Sequence, residues 1–172
     1  LSVSGFVNAK EHQLTQQILS VSSPDKAIVL SFTDNDNVAQ YQVSFNDKAV
    51  IEPSKLGFLF KTAVPMYRDF TISEVSRNQV DTSWEQPWGE QRIIHDKHNE
   101  LVVKYTHKNQ PNNMFFVRAR AFNDGIGFRY EVPASGERAI TRELTEFNFA
   151  NSHLATAYWI PGQGRERYEY LY

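Results

Sequence analysis

Cysteine is absent from the 172 residues of this chain. Disulfides, thiolate metal sites and a cysteine nucleophile are therefore excluded, although the redox compartment stays open. No apolar run approaches the length needed to cross a bilayer. The stretch from Leu1 to Lys10 lacks a basic region followed by an apolar one. The expectation is a periplasmic protein whose export signal has already been removed. A basic excess is also missing: 18 Lys and Arg face 20 Asp and Glu, a formal net charge of -2. That balance gives no electrostatic reason to expect nucleic acid or an anionic membrane as partner. Helical periodicity is nearly missing too, and only "AKEHQLTQQIL" (Ala9 to Leu19) could hold a turn or two. There is no internal repeat, low-complexity tract or Pro/Gly-rich linker, so residues 1–172 read as one domain or part of one. Nucleophile elbow, phosphate-cradling glycine loop, dinucleotide fingerprint and zincin helix are all absent.

What the chain does have is aromatic side chains and a period of two. Twelve Phe, eight Tyr and three Trp suit strands, and aromatic rings also line sugar sites. In "VAQYQVSF" Tyr41, Val43 and Phe45 alternate with Gln40, Gln42 and Ser44, the mark of a half-buried strand. "AIVLSF" precedes it, "TDNDN" (Thr33 to Asn37) links the two, and Asn46-Asp47 reverses the chain again. "LGFLF", "FTISEVS", "ELVVKY" and "MFFVRARAF" have strand length and composition. In the last of these Phe115, Val117, Ala119 and Ala121 share one face, and Phe116, Arg118, Arg120 and Phe122 share the other. Asn123-Asp124-Gly125 joins two strands as a hairpin. Strands at regular intervals with turns between them predict an all-β fold, a large antiparallel β-sandwich.

Four stretches could carry chemistry. "WEQPWGEQ" places Trp84 and Trp88 with Pro87 and Gly89 in what reads as a fixed loop, expected to plug the core. The rival reading is a loop reaching towards a ligand or another domain. "HDKHNE" holds His95 and His98 beside Asp96 and Glu100. A metal site is conceivable there, but a polar loop explains the string as well. "TRELTEFNFAN" reads as a solvated edge strand. "YWIPGQGRERYEYLY" is more pointed, because Glu169 sits among aromatics. A carboxylate there is costly to bury unless it is ion-paired, to Arg165 or Arg167, or bound to a cation. The closing "RERYEYLY" reads like the start of a strand rather than a frayed terminus.

Several blocks occur in an order that resembles a known family: "VIEPSKLGF" (Val50 to Phe58), "WEQPWGE" (Trp84 to Glu90), "HNELVV" (His98 to Val103), "FNDGIGFRYE" (Phe122 to Glu131), "ITRELTEFNF" (Ile140 to Phe149) and "YWIPGQGRERYEYLY" (Tyr158 to Tyr172). Together they resemble the N-terminal domain of glycoside hydrolase family 97, α-glucosidases and α-galactosidases of glycan-degrading bacteria. The resemblance implies a β-super-sandwich similar to galactose mutarotase-like domains, incomplete within this chain. It implies packing against the protein's own catalytic (β/α)8 barrel, which lies outside this chain and holds the general acid and the nucleophile or base. It also implies a calcium ion beside an α-linked oligosaccharide substrate, held by glutamates of which one comes from the "YEYLY" string. Glu169 matches that ligand best and Glu166 competes with it. The fragment alone is then expected to be inactive.

Two other classes fit the residues. A free-standing carbohydrate-binding β-domain would use Trp84, Trp88 and Trp159 as stacking surfaces. An aldose epimerase would need a His base and a Glu acid facing each other across a sheet. His95 or His98 with Glu100 does not make that arrangement by spacing.

Overall fold

In the computed structural model, which describes residues 19–133, 136–151 and 156, the alternating segments become ten antiparallel strands and no α-helix among the described residues. Strands β1 (Leu19–Ser22), β2 (Ile28–Thr33), β3 (Gln40–Phe45) and β4 (Lys48–Lys55) form a meander with spatial order β1-β2-β3-β4. The short 3-10 turn Asn35–Asn37 sits where "TDNDN" links β2 to β3. Asn46 and Asp47 turn β3 into β4 at φ 48° and 61°. Both are left-handed, as a two-residue turn matched to the strand twist requires. The helical option Ala9 to Leu19 falls outside the described residues except for Leu19, which opens β1.

A second meander is larger. β6 (Phe70–Glu85), β7 (Ile93–His107), β8 (Gln110–Phe122) and β9 (Gly125–Glu131) lie in the order β6-β7-β8-β9. Asn123-Asp124 closes β8 onto β9 with Phe122 opposite Gly125, as the hairpin signal predicts. The two sheets face each other across one apolar cluster. Leu30, Phe32 and Tyr41 from the first sheet meet Leu101, Val103, Tyr105, Phe115 and Val117 from the second. Each such side chain contributes roughly 1.5–3 kcal/mol by leaving water. Tyr105 and Phe115 stack with centroids 5.1 Å apart. The Tyr105 hydroxyl crosses to donate to the Thr33 carbonyl at 3.1 Å, tying one sheet to the other. Phe45 is the exception to the predicted face of β3, half exposed at the strand's end.

β5 (Phe58–Phe60) and β10 (Ile140–Glu143) make a separate two-stranded pair. Every residue of β10 is exposed, in line with the solvated edge expected of that string. Beyond β10 the chain runs along β4 without becoming a strand. Glu146 N–H donates to Lys55 O, Glu52 N–H to Asn148 O, and Ala150 N–H to Val50 O, at 2.8–3.0 Å. The β4 edge of the first sheet is thereby covered, which removes one template for pairing with other chains.

Candidate functional site

The Trp-containing string is not a core plug. β8 pairs with β7 only as far as Asn99, so beyond that point β6 and β7 continue as a two-stranded ribbon. The paired ribbon from Val80 to Glu85 extends about 17 Å at the usual strand rise. Trp84 lies in β6 opposite Ile94, and Trp88 lies in the connection at the tip. Trp84 is 50% exposed and Trp88 84%. The expectation of burial fails because cross-strand hydrogen bonding, not an apolar face, sustains this part of β6. Its register stays regular to the end, and Gln86 N–H donates to Arg92 O at 2.9 Å to close the turn. Arg92 Nε to Glu85 and Lys97 Nζ to Asp81, both at 2.7 Å, brace the ribbon from outside.

"HDKHNE" is also not a loop: all of it belongs to β7. His95 pairs opposite Ser83 and His98 opposite Val80. Residues three apart on a strand point to opposite faces, so the two imidazoles cannot share a metal. Among the described residues no group of three His, Asp or Glu could hold a metal ion. His98 is buried against Phe122, with ring centroids 4.9 Å apart. Its Nδ1 lies 2.5 Å from Asp96 Oδ1, and its Nε2 has no hydrogen-bond partner among the described residues. His98 and Glu100 stand two apart on one strand, so they do not face each other across a sheet.

The same face of the second sheet carries a group that composition did not reveal. Glu100 is buried and accepts from Arg118 Nη1 at 2.6 Å and Arg120 Nε at 2.9 Å. Arg118 also donates to Glu131 at 2.7 Å, and Arg129 reaches the same carboxylate. Burial pushes the Glu100 carboxyl up, but the two guanidiniums outweigh it and hold it below its ordinary value. Arg118, then Arg129, bring Glu131 down to about 2. The alternation of Arg118 and Arg120 on β8 was the readable signal. Their acidic partners come from neighbouring strands whose register the sequence does not show.

Trp159 and Glu169, with Glu166, Arg165 and Arg167, lie outside the described residues.

The comparisons with known proteins agree with one another. The profile of the family described as glycosyl-hydrolase 97 N-terminal matches residues 21–172. Among solved structures, a glycoside hydrolase family 97 enzyme from Pseudoalteromonas sp. strain K8, in complex with panose, superposes with a TM-score of 0.78 at 43% identity. The match covers 83% of this chain and 22% of that one, and a complex of an enzyme of that family from the same strain with acarbose gives the same values. A beta-arabinopyranosidase superposes with a TM-score of 0.69 at 25% identity, covering 78% of this chain and 22% of its own. A retaining alpha-galactosidase of Bacteroides thetaiotaomicron is 21% identical over 145 residues, 84% of this chain and 21% of that protein. The fold is thus that of an all-β domain found within glycoside hydrolases. The chain belongs to the glycosyl-hydrolase 97 N-terminal family. It spans about a fifth of the length of these relatives, 21% of one and 22% of the others.

Proposed function

We propose that this chain is the N-terminal β-sandwich domain of a calcium-dependent α-glycosidase that hydrolyses terminal α-glucosidic or α-galactosidic bonds. The observation that carries the reading is the 43% identity, at a TM-score of 0.78, to a family 97 enzyme solved with panose. The galactosidase among the relatives keeps α-galactosides in the substrate class. In this reading the general acid and the nucleophile or base belong to a catalytic barrel outside the chain. The sandwich packs against that barrel, and the enzyme works in the periplasm.

Glu169 is the residue through which this chain would touch calcium. A carboxylate oxygen suits a hard cation, but calcium takes six to eight oxygens, so one glutamate cannot hold it alone. In this reading this chain supplies one donor and the others come from elsewhere in the protein. Trp84 and Trp88, exposed on the ribbon, are suited to stack on sugar rings, with Trp159 as a third surface. Their exposure is also what a free-standing carbohydrate-binding domain would show.

The test is hydrolysis of aryl α-glucosides and α-galactosides by the full-length protein, with and without a calcium chelator. Glu169→Ala is expected to lower calcium affinity and activity together. Unchanged activity with unchanged calcium dependence would reduce Glu169 to an ordinary strand residue. Inactivity of the parent on every α-glycoside, with saturable sugar binding, would favour the binding domain.

A further inference from the structure

Away from both the ribbon and the ion-paired face, a cleft of about 650 Å³ opens between the β2–β3 link, the loop before β6 and the segment after β10. That volume is in the range of small-ligand sites. Its walls carry three bases, Lys55, Arg68 and Arg142, and four acids, Asp36, Asp69, Glu143 and Glu146. The arrangement is ordered from beneath. Gly57 N–H donates to the Tyr130 hydroxyl at 3.3 Å, which lies 2.7 Å from Thr145 Oγ1, which donates to Glu143 Oε1 at 2.7 Å. Burial pushes the Tyr130 phenol up to about 12, so it stays a proton-bearing link in this relay. Glu146 is fixed independently, accepting from Lys55 N–H at 3.1 Å and Lys55 Nζ at 3.3 Å. Arg68 lies over the Tyr67 ring, 4.5 Å from its centroid. Neither Arg68 nor Arg142 has a carboxylate partner among the described residues.

The cleft therefore combines oriented carboxylate acceptors with unspent guanidinium donors, beside one aromatic residue. Four carboxylates would repel a phosphate, and among the described residues no three acidic or imidazole side chains are grouped to hold a metal ion. A neutral ligand rich in hydroxyls satisfies both sets, because each hydroxyl donates to a carboxylate and accepts from a guanidinium. We propose that this cleft is a non-catalytic oligosaccharide site, with Arg68, Arg142, Glu143 and Tyr67 as its recognition groups. It is independent of the glycosidase reading, since none of these residues takes part in the proposed chemistry.

The probe is a thio-linked maltotriose, whose sulfur bridges resist hydrolysis, titrated calorimetrically into the full-length protein. Aryl α-glucoside turnover is measured in parallel and reports on the glycosidase reading by itself. Two binding events are expected in the parent. Arg142→Ala, and separately Glu143→Gln, should remove one of them with a tenfold or greater loss of affinity while kcat and KM stay unchanged. Both positions are exposed, and unaltered circular dichroism would show that each variant folds. Binding events equal in parent and variants overturn the proposal. So does occupation of the cleft by inorganic phosphate in place of the sugar.

Discussion

Glu100→Gln tests whether the ion-paired face holds the second sheet together. The substitution keeps the shape of the side chain and removes its charge. One amide oxygen can still accept from a guanidinium, but the amide nitrogen then points donor to donor at the other. Two hydrogen bonds to charged groups are at stake, from Arg118 at 2.6 Å and Arg120 at 2.9 Å. Each is worth about 1.5–3 kcal/mol. The gross loss is not fully felt, because Arg118 keeps Glu131 and the Arg120 side chain is 45% exposed and can be hydrated. The expected cost is about 2 kcal/mol at neutral pH. That corresponds to a fall in Tm of about 4–8 °C for a chain of this size. Urea unfolding of parent, Glu100→Gln, Arg120→Met and the double variant completes a cycle, with a coupling energy of about 1 kcal/mol expected. The pH dependence has a definite sign. The folded carboxyl titrates below its ordinary value, so its stabilisation is complete above about pH 4.3 and disappears as pH falls through the folded value. Parent and variant should therefore converge in acid. A cost under about 0.5 kcal/mol at pH 7, or a cost that persists unchanged in acid, would refute the reasoning.

Two further substitutions probe the fold elsewhere. Gly57 sits at φ 145°, and an added Cβ would run into the Met66 carbonyl and the Tyr67 side chain. Gly57→Ala should cost about 2–4 kcal/mol in denaturant unfolding, and a loss below about 1 kcal/mol would contradict the crowding. Trp88→Ala should leave the unfolding midpoint within about 0.5 kcal/mol, because the side chain touches little. A larger loss would return the ribbon tip to the core.

The sandwich was legible where one face of a strand is buried and the other wet. Tyr41 and Val43 on β3, and Phe115 to Ala121 on β8, show the period of two directly because packing imposes it. β6 was legible only at its start. From Glu74 onward nearly every residue is exposed, so neither face selects apolar side chains and the pattern goes silent while the hydrogen bonds continue. Trp84 and Trp88 were misplaced for the same reason, since large aromatics are normally buried and nothing nearby signalled a ribbon. His98 was hidden by its polar neighbours. Its ring packs on Phe122, a residue of β8 that the β7–β8 pairing brings close. Of the candidate site, the aromatic and acidic residue types were legible, but the pairing of Glu100 with Arg118 and Arg120 was a matter of register.

The covering of β4 by the segment from Glu146 to Ala150 has a consequence for the order of events during synthesis. The Ser54 hydroxyl accepts from Asn148 N–H across 94 residues, and Tyr41 reaches the Glu146 carbonyl across 105. A ribosome adding about 5–20 residues per second needs on the order of 5–20 s to supply the later partner. During that interval the first four strands can already have paired, with the β4 edge still open. Nascent chains on neighbouring ribosomes would meet at that edge, and the lysines and proline of its sequence Lys48–Lys55 oppose such pairing during the wait.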